Sequence, residues 1–424
     1  MKRVALITVL AGAVAFCGFN HTSRAADEKG GQLKAGDYVA IIGDSITEQK
    51  QYSVFIEDYL LMCQPAKDLK TTQFGWGGET SWGFDSRMVN DMTPFGATVA
   101  TINFGMNDGG YRPETPQNAK HYHDAYTDVV EKLKKAGVRF IVVGSPGCVD
   151  SDSFHKKPAD AEMYNQTLNT EREIAKKVAQ EQGAAFADVY GPMVEVMSKA
   201  KEKYGHGYVL AGGDGVHPNA NGHLVMAYAY LKGLGCDGNI GTITVDLDAK
   251  KAEATDGHKI LSDNDGTVEV ESTRYPFCFS GDPKSPNATT GVLEFFPFNQ
   301  DLNRFTLVVK GADSGKKYKV TWGKETKEFA GADLAKGINL AAEFLESPFA
   351  DAFKAVDEKV RAQQNFETPL VKQKIHDLLK KKAEGKEKVD AERTALIAGD
   401  KPLQEESSKA VVPVKHTIKV EEAK

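Results

Sequence analysis

The sequence predicts an α/β fold, an open and mostly parallel sheet flanked by helices, followed by a smaller β-rich part. Three observations carry that prediction. Short apolar stretches alternate with long amphipathic ones through residue 235, the pattern of successive βαβ units. The two longest helical stretches are closed by Gly137 and Gly183, placed as C-terminal caps. From residue 239 the pattern changes to strand-like segments separated by turn-rich pieces.

The elements follow in order. Residues 26–36 are polar and rich in Gly and Lys, a leader to the first domain. Tyr38 to Ile42 reads as a short apolar strand ending at Gly43, and Val54 to Cys63 has helical spacing. Thr98 to Phe104 is strand-like, Ala119 to Ala136 is a long amphipathic helix, and Arg139 to Val143 is a buried-looking strand. Asp160 to Gln182 is the second long helix, Ala184 to Val189 a strand, and Asn219 to Leu234 the last helix of this part. In an open parallel sheet the ligand sits outside the carboxyl ends of the strands. Beyond 239, Thr242 to Leu247, Thr267 to Glu271, Arg304 to Lys310 and Lys317 to Trp322 are strand-like, with Ser262-Asp263-Asn264-Asp265-Gly266 as one of the turns. Residues 333–382 turn helical and charged, and the end of the chain alternates Lys and Glu with few aromatics, so that tail is expected to be an extended helix or partly disordered. No internal repeat is visible.

Composition bounds the function. The chain has 424 residues, 41% of them hydrophobic and 26% charged, which excludes collagen-like, low-complexity and wholly disordered classes. Lys+Arg total 53 against Asp+Glu 59, a formal net charge of −6, and this lacks the basic footprint of a dedicated nucleic-acid binder. The length allows two or three domains and an ample core without disulfide staples. Met1-Lys2-Arg3, the apolar run from Val4 to Phe16, and Ser23-Arg24-Ala25 read as a signal peptide over residues 1–25, so a secreted or periplasmic protein is expected. Phe16 is a poor fit to a lipobox before Cys17, and the apolar run is short for a membrane span. No later segment is apolar enough to span, so no membrane span is expected in the mature chain. Cys63, Cys148, Cys236 and Cys278 could pair in three ways or remain buried thiols, and no C-x-x-C is present.

Four separated clusters carry chemistry. Gly43-Asp44-Ser45-Ile46-Thr47 follows the first strand directly, which holds a serine hydroxyl at the carboxyl edge of the sheet. Gly75-Trp76-Gly77-Gly78-Glu79-Thr80 can bring backbone N–H donors close to a substrate. Gly105-Met106-Asn107-Asp108 places a side-chain amide after the strand ending at Phe104. Asp214-Gly215-Val216-His217-Pro218 sets a carboxylate three residues before a histidine, able to orient the imidazole and stabilise its charged form. A nucleophile, a base, an orienter and oxyanion donors are the parts of acyl transfer through a covalent serine intermediate.

These four blocks, in this order on an alternating α/β background, resemble the SGNH (GDSL-type) hydrolases over residues 37–235. The resemblance implies a flavodoxin-like three-layer hydrolase domain over 37–238; the residue pattern beyond it gives a β-rich accessory module over 239–332 and a helical, partly disordered tail over 333–424. It makes Ser45 the nucleophile, His217 the base and Asp214 its orienter. The oxyanion hole falls to the N–H groups of Ser45 and Gly78 and the amide of Asn107, with Gly77 as the alternative to Gly78. Ile46 stands where the family's name-giving motif has leucine, a packing position without mechanistic consequence. No cofactor and no metal are expected.

The remaining candidates have plainer readings. Asp44 is expected to brace its turn and Asp108 to act as a structural hydrogen-bonder. His223 reads as a helix-start residue, and His121 and His123 are two apart and cannot share a helix face. Trp76, Trp82 and Tyr111 could line the cleft and stack on a sugar, or pack within loops. Gly233-Leu234-Gly235-Cys236-Asp237-Gly238 matches G-x-G-x-x-G but follows a helix rather than a strand, so it reads as a cap and linker. The serine elbow G-x-S-x-G is absent, which disfavours an α/β-hydrolase fold. The apolar clusters Pro276-Phe277-Cys278-Phe279 and Phe295-Phe296-Pro297-Phe298 are expected to pack onto the first domain. The expected function is hydrolysis of small O-acyl esters, O-acetyl on a carbohydrate foremost. A lipase or lysophospholipase of the same family is the alternative, as is a carbohydrate- or cell-wall-binding protein with little turnover.

Overall fold

The five strands of the central sheet are β1 (Tyr38–Gly43), β2 (Lys70–Gly75), β3 (Val99–Asn103), β4 (Phe140–Gly144) and β5 (Ala185–Ala187). They run parallel in the order β2-β1-β3-β4-β5, the flavodoxin-like arrangement. The structure is a computed structural model that describes residues 33–156 and 160–423; the signal-peptide reading lies outside the described residues. Strands β3 and β4 are buried at every position, as continuous apolar strands of a parallel sheet are. Alternation splits their side chains between two cores. Val39, Ile41, Val99 and Val142 belong to one, and Ala40, Ile42, Ala100, Ile102, Ile141 and Val143 to the other.

Seven helices complete this layer structure: α1 (Ser45–Glu48), α2 (Tyr52–Met62), α3 (Ser81–Asp91), α4 (Pro116–Lys135), α5 (Ala161–Glu181), α6 (Tyr190–Tyr204) and α7 (Ala220–Gly233). Sequence chemistry sets their starts. Thr115 caps α4 by accepting from Asn118 N–H, with Pro116 in the first turn, and Asp160 caps α5 by accepting from Met163 N–H. Lys132, Lys134 and Lys135 fall in the last turn of α4, where cations suit the helix dipole.

The change of pattern at 239 coincides with β6 (Asn239–Asp246), followed by β7 (Lys251–Ala254), β8 (His258–Asn264) and β9 (Thr267–Ser272). Then come α8 (Phe298–Leu302), β10 (Arg304–Lys310), β11 (Lys317–Trp322), β12 (Glu325–Ala330), α9 (Gly331–Lys336), β13 (Ile338–Asn339) and α10 (Leu340–Glu343). Helix α11 (Ala350–Pro369) continues into a π-helical stretch, Leu370–Ile375, before α12 (Lys386–Ala398), α13 (Lys401–Lys409) and β14 (Val414–Glu422). Two sheets result, β13-β10-β6-β7 and β12-β11-β14-β9-β8.

The expectation of an extended or partly disordered end is corrected by β14. That strand lies between β11 and β9, antiparallel to both, with His416, Ile418 and Val420 buried and Lys415, Thr417 and Lys419 exposed. The described residues form one compact unit. The two Phe-rich clusters bind its parts together. Phe277 meets Phe55 of α2 with ring centroids 6.1 Å apart, and Phe296 meets Tyr228 of α7 at 5.3 Å. Cys63, Cys148, Cys236 and Cys278 are free thiols, so none of the three pairing schemes is formed. Burial pushes the Cys148 and Cys236 thiols up to about 12, which leaves them unreactive.

Candidate functional site

The site begins where β1 ends. Gly43 leaves no room for a side chain, since a Cβ there would stand 2.1 Å from Thr47 Oγ1 and 2.8 Å from Asn103 O. Asp44 caps α1, its Oδ1 accepting from Ile46 N–H at 2.9 Å, which makes Ser45 the first residue of a one-turn helix at the carboxyl edge of the sheet. Asp44 is fully buried, and burial raises its carboxyl to about 7. It braces the turn, as expected from the sequence.

Across the cleft, the loop before α7 presents His217. Gly212 has φ +80°, and a Cβ there would fall 1.7 Å from His217 O, so glycine is required for this tight loop. Ser45 Oγ and His217 Nε2 are 2.8 Å apart, and His217 Nδ1 and Asp214 Oδ2 2.7 Å apart. Asp214 Oδ1 accepts from the N–H groups of Val216 at 3.0 Å and His217 at 2.9 Å. Partial burial of Asp214 raises its carboxyl, but the hydrogen bonds from the His217 backbone, the His217 ring and the Val216 backbone outweigh it and hold the group below the usual carboxylate range. A serine hydroxyl, an imidazole and an ionised carboxylate are thus in series.

Two further segments face this series. Asn107 Nδ2 donates to Glu79 O at 3.0 Å and lies 3.4 Å from Asp44 Oδ2, while its Oδ1 accepts from Tyr111 O–H at 3.3 Å. That pattern fixes which end of the amide is the donor. Asp108, the next residue, is buried and accepts from the N–H and hydroxyl of Ser81 and from Gly105 N–H, the structural role expected of it. Of the two candidate donor glycines, Gly77 and Gly78, the Gly77 N–H is taken by Glu48 Oε2 at 2.5 Å. Gly78 has φ +74°, and among the described residues nothing accepts from its N–H or from that of Ser45. The geometry therefore favours Gly78 over Gly77 as a free donor.

His223 is not a second base. It is buried in α7, its Nδ1 accepts from Tyr52 N–H at 3.3 Å, its Nε2 meets Gln49 Oε1 at 2.9 Å, and burial lowers its pKa to about 3. His121 stacks on Trp82 with centroids 4.3 Å apart, and His123 pairs with Glu181. Trp76 lies against the Arg87 guanidinium at 4.3 Å, and Tyr111 stacks on Tyr164 at 4.9 Å. All three candidate cleft aromatics therefore pack within the protein while staying partly exposed.

Sequence reasoning missed Glu48 and Lys372. Glu48 sits one turn after Ser45 and grips the glycine segment, a position that helical spacing could have flagged. Lys372 Nζ reaches Glu48 Oε1 at 2.5 Å from 324 residues away, and no local pattern points to it.

Residues 41–225 match the model of the GDSL-like Lipase/Acylhydrolase family. The domain they form belongs to that family. This makes the chain a carboxylic ester hydrolase. It is similar to an acetylxylan esterase of Geobacillus stearothermophilus, 23% identical over 224 residues that cover 48% of this chain and 96% of that one. A crystal structure of an acetylxylan esterase from the same organism aligns with a TM-score of 0.40 and 20% identity over 48% of this chain and 96% of its own. A gut microbial diltiazem-metabolizing enzyme aligns with a TM-score of 0.70 and 22% identity, over 92% of this chain and 98% of its own. That likeness extends through the parts beyond the GDSL-like domain, so the whole architecture, including its C-terminal sheets and helices, recurs in a second protein.

Proposed function

We propose that this GDSL-family hydrolase removes short O-acyl groups, O-acetyl foremost, from a carbohydrate, through an acyl-enzyme on Ser45, and that it does so after export to the periplasm or outside the cell. The observation that carries the reading is the Ser45–His217–Asp214 series beside two unclaimed backbone N–H groups and an oriented amide. In this reading Ser45 O–H donates to His217 Nε2, and His217 Nδ1–H donates to the ionised Asp214. As Ser45 Oγ attacks the ester carbonyl, its proton passes to Nε2 and Asp214 stabilises the imidazolium. The tetrahedral oxyanion accepts from Ser45 N–H, Gly78 N–H and Asn107 Nδ2. Nε2–H then protonates the departing sugar alcohol. A water molecule repeats the attack on the acyl-enzyme, releasing acetate and restoring Ser45.

The acetyl and carbohydrate elements rest on the acetylxylan esterase relative and on the partly exposed rings of Trp82 and Tyr111. Hydrolysis of acetylated xylo-oligosaccharides, 4-nitrophenyl acetate and 4-nitrophenyl octanoate tests them together. The expected result is acetate release from the oligosaccharide and a preference of tenfold or more for the acetyl over the octanoyl ester. Preference for octanoate would install the lipase reading instead. Binding of the oligosaccharide without turnover of any ester would make the chain a binding protein.

A further inference from the structure

The C-terminal part of the chain reaches the ester-hydrolysing site. Just after α11, the π-helical stretch Leu370–Ile375 turns Lys372 toward α1. Its Nζ donates to Glu48 Oε1 at 2.5 Å, and Glu48 Oε2 accepts from Gly77 N–H at the same distance. The pair is partly shielded, the two side chains being 25% and 24% exposed, so it keeps more strength than a surface ion pair. The same ammonium lies 5.1 Å from the Trp76 ring, and His376 approaches that ring at 5.0 Å while bonding Asp91 Oδ2 at 2.9 Å. Trp76 is tied in turn to β1 through its N–H on Gly43 O at 3.2 Å, and its carbonyl accepts from Glu79 N–H at 3.1 Å.

We propose that Lys372 is a positioning residue of the esterase site, holding Glu48 so that Glu48 fixes Gly77 and thereby aims the next N–H, that of Gly78, at the oxyanion. The physical need is clear. Gly77 and Gly78 are both exposed, and a Gly-Gly pair has the widest conformational choice of any dipeptide. A donor that serves the transition state has to be oriented before the reaction begins. Glu48 supplies that orientation only if its carboxylate is itself anchored, and Lys372 is the anchor. The proposal rests on the oxyanion reading above, in which Gly78 is a donor.

The test uses the full-length enzyme with 4-nitrophenyl acetate. Lys372→Met is expected to lower kcat about tenfold with KM changed less than twofold, because the loss falls on the transition state. Lys372→Arg, which reaches Glu48 Oε1 with a guanidinium, is expected to recover kcat to within threefold of wild type. Glu48→Ala should lose as much as Lys372→Met or more. The double variant should be no worse than Glu48→Ala, since Lys372 acts through Glu48. A Lys372→Met enzyme that keeps kcat within twofold, fails to be rescued by arginine while folded, or adds its loss to that of Glu48→Ala overturns the inference. If Lys372→Met does not fold by circular dichroism, Glu48→Ala and Lys372→Arg decide it by the same criteria. Ser45→Ala is measured alongside. Activity surviving in that variant would strike at the nucleophile itself, whereas its loss together with a fully active Lys372→Met would strike at this inference alone.

Discussion

Asn107 shows how one side chain acquires a direction. Glu79 O can only accept, so it binds the Nδ2 end, and Tyr111 O–H donates to the Oδ1 end. Asn107→Ala should therefore lower kcat by roughly 10²–10³, the cost of one oxyanion donor, with little change in KM or folding. Steady-state kinetics against a matched thermal melt checks this, and an unchanged kcat would remove Asn107 from the oxyanion hole. Tyr111→Phe removes the contact at the Oδ1 end while Glu79 O still holds Nδ2, and should cost less, a few-fold in kcat. At this scale much of the candidate site is legible in the sequence. Ser45 follows an apolar strand, Asn107 follows another, and Asp214 and His217 share one loop. Glu48 and Lys372 were not legible as partners, because their contact exists only once α11 has docked.

Strand β2 and helix α11 show the limit of local reading at the scale of elements. The β2 segment Lys-Thr-Thr-Gln-Phe-Gly lacks the apolar run that marks a buried strand, yet five of its six residues are buried. Its polar groups are met by α11: Gln73 N–H donates to Glu367 Oε2 at 2.9 Å, and Gln363 Nε2 donates to Thr71 O at 3.3 Å. Glu57 of α2 joins through Gln363 and Gln364, and Asp400 through Gln404. The final strand, by contrast, carried a readable signal. Val414, His416, Ile418 and Val420 alternate with polar residues at period two, but the neighbouring Lys and Glu outweighed it.

This buried network has a pH consequence. Burial raises Glu57 to about 7 and Asp400 to about 6, and pushes Glu367 well above the usual carboxylate range. An acid whose folded pKa exceeds its unfolded value binds protons more tightly in the native state. Its contribution to stability is complete below about pH 4 and is lost as pH rises through the folded pKa. Urea unfolding should therefore show stability falling between about pH 4 and 7. Asp400→Asn should flatten that fall, placing an amide where Asp400 Oδ1 now lacks a partner. An unchanged slope in the variant would place the pH dependence elsewhere.

At the scale of the whole molecule, the β-rich and helical parts are not appendages. Phe277 is 3% exposed and touches Phe55, Phe279, Phe298 and Phe353, so one cluster joins α2 to the C-terminal half. Phe277→Ala should cost about 3–5 kcal/mol by chemical denaturation while the chain still unfolds in one transition. A chain ending at Gly238 would strip this cover from α2, α7 and β2 together. It should be insoluble or inactive, and a soluble, fully active fragment would show the GDSL-like domain to be self-sufficient.

In the proposed mechanism Ser45 carries the acyl group. Rapid quenching of the enzyme with 4-nitrophenyl acetate, followed by peptide mass spectrometry, tests it most directly. The expected result is a burst of 4-nitrophenol stoichiometric with enzyme and acetylation confined to the peptide containing Ser45, both absent from Ser45→Ala. Turnover without acetylation of Ser45, or a burst that persists in Ser45→Ala, would contradict it.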